Sequence, residues 1–147
     1  MRKGFSLITA IIIMMAVSLL MTMMISLSSS TVKSTTDMYL KEQAAMLARS
    51  ATEYALLAIS GHDNTQNCIQ NINMTYPNAT SPTHEMNVSI IYMGRGIPNC
   101  NNNLLDDNIS TSDSNLTAII DVIVSVRKDQ TGITEPIRIH RRTIQKP

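Results

Sequence analysis

Residues 5–27 read FSLITAIIIMMAVSLLMTMMISL, and no charged residue stands anywhere between Phe5 and Val32. The polar side chains inside the run are Ser6, Thr9, Ser18, Thr22 and Ser26. As an α-helix it covers ~34 Å at 1.5 Å per residue, enough to cross a bilayer core of about 30 Å. A removable secretory signal has an apolar core of roughly 7–15 residues followed by a small-residue cleavage site. This run is longer, so it predicts an anchor that stays with the protein. Arg2 and Lys3 precede it, and the next cation is Lys33. That bias toward a cytoplasmic N-terminus places the remainder on the far side of the membrane.

Working outward, no Pro or Gly interrupts residues 28–60. Leu40, Ala44, Leu47, Ala51, Tyr54 and Ala58 recur at intervals of 4, 3, 4, 3 and 4, one apolar stripe on an α-helix. Lys41, Glu42, Arg49 and Glu53 fall largely off it. Gly61 is then the expected left-handed C-terminal stop. A helix from Phe5 to Ser60 would measure ~84 Å. Its weak point is Ser28-Ser29-Ser30-Thr31, where side chains that bond back to the backbone favour bending or melting.

Beyond Gly61 the composition changes. Residues 62–84 are rich in Asn, Thr, Ser and Pro and read as loop. Three strands are expected: 86–93, 117–127 and 136–144. The second places Ala118, Ile120, Val122, Val124 and Val126 on one face. Lys128 to Gly132 forms a five-residue turn that makes the last two an antiparallel hairpin, and residues 94–115 are a polar loop. The expected fold is α+β: an apolar anchor whose outer half packs by its stripe on a small antiparallel sheet.

The chain opens Met1-Arg2-Lys3-Gly4-Phe5-Ser6-Leu7-Ile8-Thr9. A short basic leader ending in Gly, then Phe and an unbroken apolar helix, resembles the class III signal of type IV pilins and type II secretion pseudopilins, G-F-[ST]-L-[ILV]-E. Gly4 through Ile8 match. The resemblance implies a leader of residues 1–4, an assembly helix over 5–27, an amphipathic extension over 28–60 and a head over 61–147. It also implies that a prepilin peptidase cuts between Gly4 and Phe5 and methylates the new amine. The implied partners are other pilins or pseudopilins and an inner-membrane assembly platform. The protein would sit in the inner membrane with a periplasmic head, then in a filament. The departure is Thr9, where the family has Glu. A carboxylate in the bilayer costs about 2.5–3.5 kcal/mol; in the family it is thought to attract the neighbouring subunit's terminal amine. A chain without it suffers least where it has no neighbour to neutralise, which implies a minor, initiating or tip-proximal subunit.

Other signals are weaker. Cys68 and Cys100 are the only cysteines, and in an oxidising compartment they pair. The closed loop is worth about 3–4 kcal/mol in the chain-entropy model. Asn87, Asn108 and Asn115 each have an acid two residues before and Ser or Thr two after, a pattern resembling the extended sequon of bacterial N-glycosylation. Asp106, Asp107 and Asp113 share one loop and offer oxygen ligands suited to calcium, without EF-hand spacing.

Arg138, His140 and Arg142 share a strand face, with Arg141 and Lys146 nearby, a strip that a DNA-uptake filament would use. Against it, net charge is +1 and mean hydropathy +0.02. From His62 onward there are seven Lys/Arg against eight Asp/Glu, and no aromatic platform accompanies the strip. No nucleophile–base–acid set or phosphate loop is present, and the expectation is a structural protein, not an enzyme. The competing classes are a filament subunit, a tethered adhesion or binding module that never polymerises, and a DNA-contacting minor pilin.

Overall fold

The computed structural model describes residues 3–64, 66–95, 100, 103–109, 116–133 and 135–147, with side chains from Leu7 onward. Helix α1 runs Lys3–Ser60, beginning just before the apolar run and passing through Ser28–Thr31 without a break. The expected melting there does not occur. Thr31 donates its hydroxyl to the Leu27 carbonyl at 3.0 Å, and Thr35 and Thr36 repeat the bond one turn on. These hydroxyls find their acceptors inside the helix and leave its backbone ladder intact. The chain divides into two compact units, residues 1–37 and 38–147.

In the first unit, the described apolar side chains from Leu7 to Val32 are exposed on every side of the helix. It is the one helix among the described residues long and apolar enough to cross a membrane.

The second unit joins the rest of α1 to a five-stranded sheet. Its strands are β1 (Asn71–Tyr76), β2 (His84–Gly94), β3 (Leu104–Asp106), β4 (Leu116–Val126) and β5 (Arg138–Gln145). The order is β1-β2-β4-β5, antiparallel throughout, while β3 pairs in parallel with the end of β2. The sheet is therefore larger than the three expected strands. β1 lies inside the stretch read as loop over 62–84, and β3 inside the loop over 94–115.

β4 is paired along its whole length with β2, and the hairpin with β5 forms as its alternation predicts. The five-residue turn is instead a single helical turn, α2 (Lys128–Thr131). It closes on Gly132 at φ 64°, a left-handed position a Cβ would strain.

One face of the sheet is dry. Met86, Val88, Ile90 and Tyr92 of β2 and Ala118, Ile120, Val122 and Val124 of β4 are buried, at the period of two that a half-covered strand requires. They share one core with Leu40, Ala44, Ala48, Ala51, Ala55 and Ile59 of α1. The buried stripe thus steps by 4, 4, 3, 4 and 4 rather than along the expected row. Leu47 and Ala58 are only half-buried, and Tyr54 is 53% exposed. Small residues fill the buried seam, while the bulkier Leu47 stands at its margin and Tyr54 outside it.

Gly61 is also corrected. It has no left-handed φ, and its N–H continues the helical pattern to the Leu57 carbonyl at 3.0 Å. The helix ends on side chains instead: Ser60 Oγ donates to Leu57 O and Asn64 Nδ2 to Ile59 O. Each joins a backbone donor on the same carbonyl, Gly61 N at Leu57 O and His62 N, at 3.3 Å, at Ile59 O.

The edge of β2 shows why the cysteines lie where they do. β1 pairs with residues 84–89 and β3 with residues 92–93. In the gap, Ile90 N donates to Gln70 O (2.9 Å) and Asn103 Nδ2 to Ile90 O (2.7 Å). Tyr92 Oη donates to Ile69 O (2.8 Å), and burial pushes its phenol up to about 12. The Cys68–Cys100 disulfide, with Cα atoms 5.3 Å apart, ties together the two segments that supply these groups.

Candidate assembly surface

The apolar character of α1 does not end where the head begins. Within the second unit the side of the helix away from the seam carries Tyr39, Met46 and Leu57, exposed to 65, 68 and 70%. They lie 7 and 11 residues apart, close to whole numbers of turns, so they stack on one face. Glu42, Arg49 and Glu53 flank them and are exposed too. The helix therefore offers two opposed surfaces here, an alanine-lined one that docks on the sheet and a larger-residue one that meets no part of the described head. The expected stripe ran between the two.

In the first unit the exposed surface is continuous: Ile11, Met14, Met15, Leu19 and their neighbours are open on all sides. The polar interruptions are muted. Ser18 donates to Met14 O at 2.8 Å and Thr22 to Leu19 O at 2.9 Å, so each hydroxyl is satisfied without a partner outside the helix. Thr9 lies in this helix with an exposed side chain. Gly4 and Phe5 fall in its opening turn, and the Phe5 side chain is outside the described residues.

The remaining candidate residues separate. Asn87 is exposed, but it sits mid-strand in β2, paired with Asn73 on one side and Ile123 on the other. Asn108 lies in an exposed turn, where Asp106 Oδ1 accepts its N–H at 2.8 Å and its own Oδ1 accepts from Arg95 at 3.0 Å. Asn115 and Asp113 lie outside the described residues. Asp106 and Asp107 are exposed, and among the described residues no three acidic, His or Cys side chains gather as metal ligands.

The face of the sheet opposite the seam carries the cationic strip. Register places Asp121 beside Arg142 and Ile123 beside His140. The Asp121 carboxylate, 16% exposed, pairs with both His140 and Arg142. Burial raises its pKa, but the hydrogen bonds from Arg142 and His140 outweigh this and hold it below the ordinary carboxylate value. Sequence reasoning noted the cations and missed this acid, although β4 alternation aims Asp121 at the same face.

A second missed residue is His84, fully buried at the start of β2. Its Nε2 lies 3.4 Å from the Leu40 carbonyl of α1, and its Nδ1 lies 2.9 Å from Thr83 Oγ1. Tyr76 meets the ring edge-on at 6.1 Å. Desolvation holds the imidazole below its ordinary value, partly opposed by the Leu40 bond. It is a polar pin between sheet and helix. Its only sequence signal is its place on the inward side of the β2 alternation.

No family model matches the chain, and neither a curated protein nor a solved structure matches it.

Proposed function

We propose that this chain is a membrane-anchored structural subunit of a type IV pilus-like or type II secretion filament, incorporated at or near its tip. On this reading the leader of residues 1–4 is removed on the cytoplasmic side, Phe5 becomes the N-methylated terminus, and the head lies in the periplasm. The observation that carries it is the bare helix. A monomeric tethered module needs an apolar helix only as deep as the bilayer. Here the head half of α1 also keeps Tyr39, Met46 and Leu57 on its outer side, uncovered by its own sheet. Such a stripe suits contact with other helices of the same kind.

The physics of that contact is selective rather than strong. In lipid the helices are already in an apolar medium, so bundling gains little from burial. Close packing and polar groups that find partners decide which subunits join. Thr9 fits a subunit at a filament end, because it carries no acid that a neighbour's amine must neutralise.

The test is a photo-crosslinking amino acid at Met46 or Leu57 in the native membrane, with Ser125 on the outer sheet face as the control. Adducts with other filament subunits are expected from the helix positions. A protein that anchors normally yet yields no helix-face adducts would support the tethered-module reading instead. The DNA-contacting reading is weakened by Asp121, which already engages two of the cations it would need.

A further inference from the structure

β5 ends the sheet, and among the described residues no strand pairs with its outer side. Val126 N donates to Ile137 O, which sets the phase of the hairpin. The backbone groups of residues 139, 141, 143 and 145 turn toward β4, and those of Arg138, His140, Arg142 and Ile144 turn outward. The β4–β5 register contains no bulge, and β5 contains no Pro. Both devices commonly blunt an open edge. Charge is the one that remains: Arg138, His140, Arg141 and Arg142 all lie on this strand and all are exposed.

That charge is unevenly answered. Asp121 takes His140 and Arg142. Arg138 and Arg141 meet no acidic side chain among the described residues. They stand three positions apart and so project from opposite faces of the sheet, with exposed Ile144 three further along. A second β5 laid against this edge would set cation against cation.

We propose that the open edge of β5 is a strand-addition site for an extended acidic segment of a partner protein. The segment has acids three positions apart to meet Arg138 and Arg141, and an apolar residue three beyond to cover Ile144. Main-chain hydrogen bonds to residues 138, 140, 142 and 144 supply the docking, and the two free guanidinium groups select the occupant. This inference stands on the head alone and is independent of whether the helix assembles into a filament.

The experiment uses the full-length protein in detergent micelles and fluorescein-labelled octapeptides of alternating Thr and Val. One carries Glu at positions 1 and 4 and Ile at position 7, and its control carries Lys in place of Glu. Fluorescence anisotropy is expected to show the Glu peptide binding at least ten-fold more tightly than the Lys peptide. N-methylating the alternate amides that face β5 is expected to weaken binding at least ten-fold, while methylating the other set changes it less than two-fold. Arg141→Glu is expected to reproduce the ten-fold loss. Equal sensitivity to both methylation sets would overturn strand addition, since it would leave only a charge contact. Equal binding of Glu and Lys peptides, no binding at all, or tighter binding of a peptide copying residues 138–145 would overturn the acidic occupant.

Discussion

Two stretches of one helix, residues 7–37 and 38–60, are built for different surroundings. The first is apolar on all sides as far as Val32 and has no buried residue of its own. The second is two-faced, with an alanine seam at Ala44, Ala48, Ala51 and Ala55 against the sheet and large exposed side chains opposite. The difference teaches where each stretch obtains its stability. A helix that is hydrophobic all round needs an apolar medium, whereas one with a narrow seam of small residues needs a single close-fitting partner. Head mutations should therefore change head folding and leave anchoring alone, and anchor mutations the reverse.

The largest expected effect tests the head side. Cys68→Ser, or reduction of the native protein, should destabilise the head by about 3–4 kcal/mol, read from its denaturant midpoint, with membrane association unchanged. Unaltered head stability would mean that the strand pairing and the core carry the Cys68 and Cys100 segments without the cross-link.

Next comes the anchor side. Ile13→Arg places a charge in the apolar run at a cost of about 2.5–3.5 kcal/mol. It should release protein into the alkaline-soluble fraction while the released head keeps its melting temperature. A release matched by a melting shift would erase the division between the two stretches.

Ala48→Leu should cost about 1–3 kcal/mol of head stability by overpacking the seam. Leu19→Ala, which removes the same side-chain carbons that Ala48→Leu adds, should leave head melting where it was.

A smaller effect is the pH slope from His84. Its folded pKa lies below the ordinary 6.5, so the unfolded chain takes up the proton first as pH falls. Head stability should be full above about pH 6.5, decline as the pH drops below it, and level off beneath the folded value. His84→Gln should flatten that decline in melting curves taken between pH 7.5 and 5. An unchanged slope would assign the pH response to other groups.

The smallest expected shift is Met46→Gln, within about 0.5 kcal/mol of wild-type stability, with its helix-face cross-links lost.

Much of this was legible in the chain. Residues 5–27 announce the apolar helix because nothing charged or helix-breaking interrupts them. β4 announces itself because Ala118, Ile120, Val122, Val124 and Val126 place an apolar residue at every second position, and the disulfide follows from there being two cysteines. The misses have physical causes. β1 reads NINMTY, an edge strand whose outward positions are Asn and Thr, so its alternation looks like loop composition. β3 is three residues long and exists because β2 offers it an edge.

The helix stripe drifted because residues 40–59 hold alanines at several helical phases. Size pointed toward Leu47 and Tyr54, while the buried core takes Ala48 and Ala55. For the candidate site, the motif at Gly4 to Ile8 is visible only in sequence and the exposed face of Tyr39, Met46 and Leu57 only in the fold. Asp121 falls between the inward positions of an alternation that was read, whereas His84 closes the stretch read as loop, two residues before the expected strand.

The most direct measurement is the intact mass and N-terminal sequence of the protein taken from native membranes and sheared filaments. The account predicts a chain that begins at Phe5, carries one methyl group on its terminal amine, and is present in the filament fraction. A chain still beginning at Met1 and confined to the membrane fraction would contradict it.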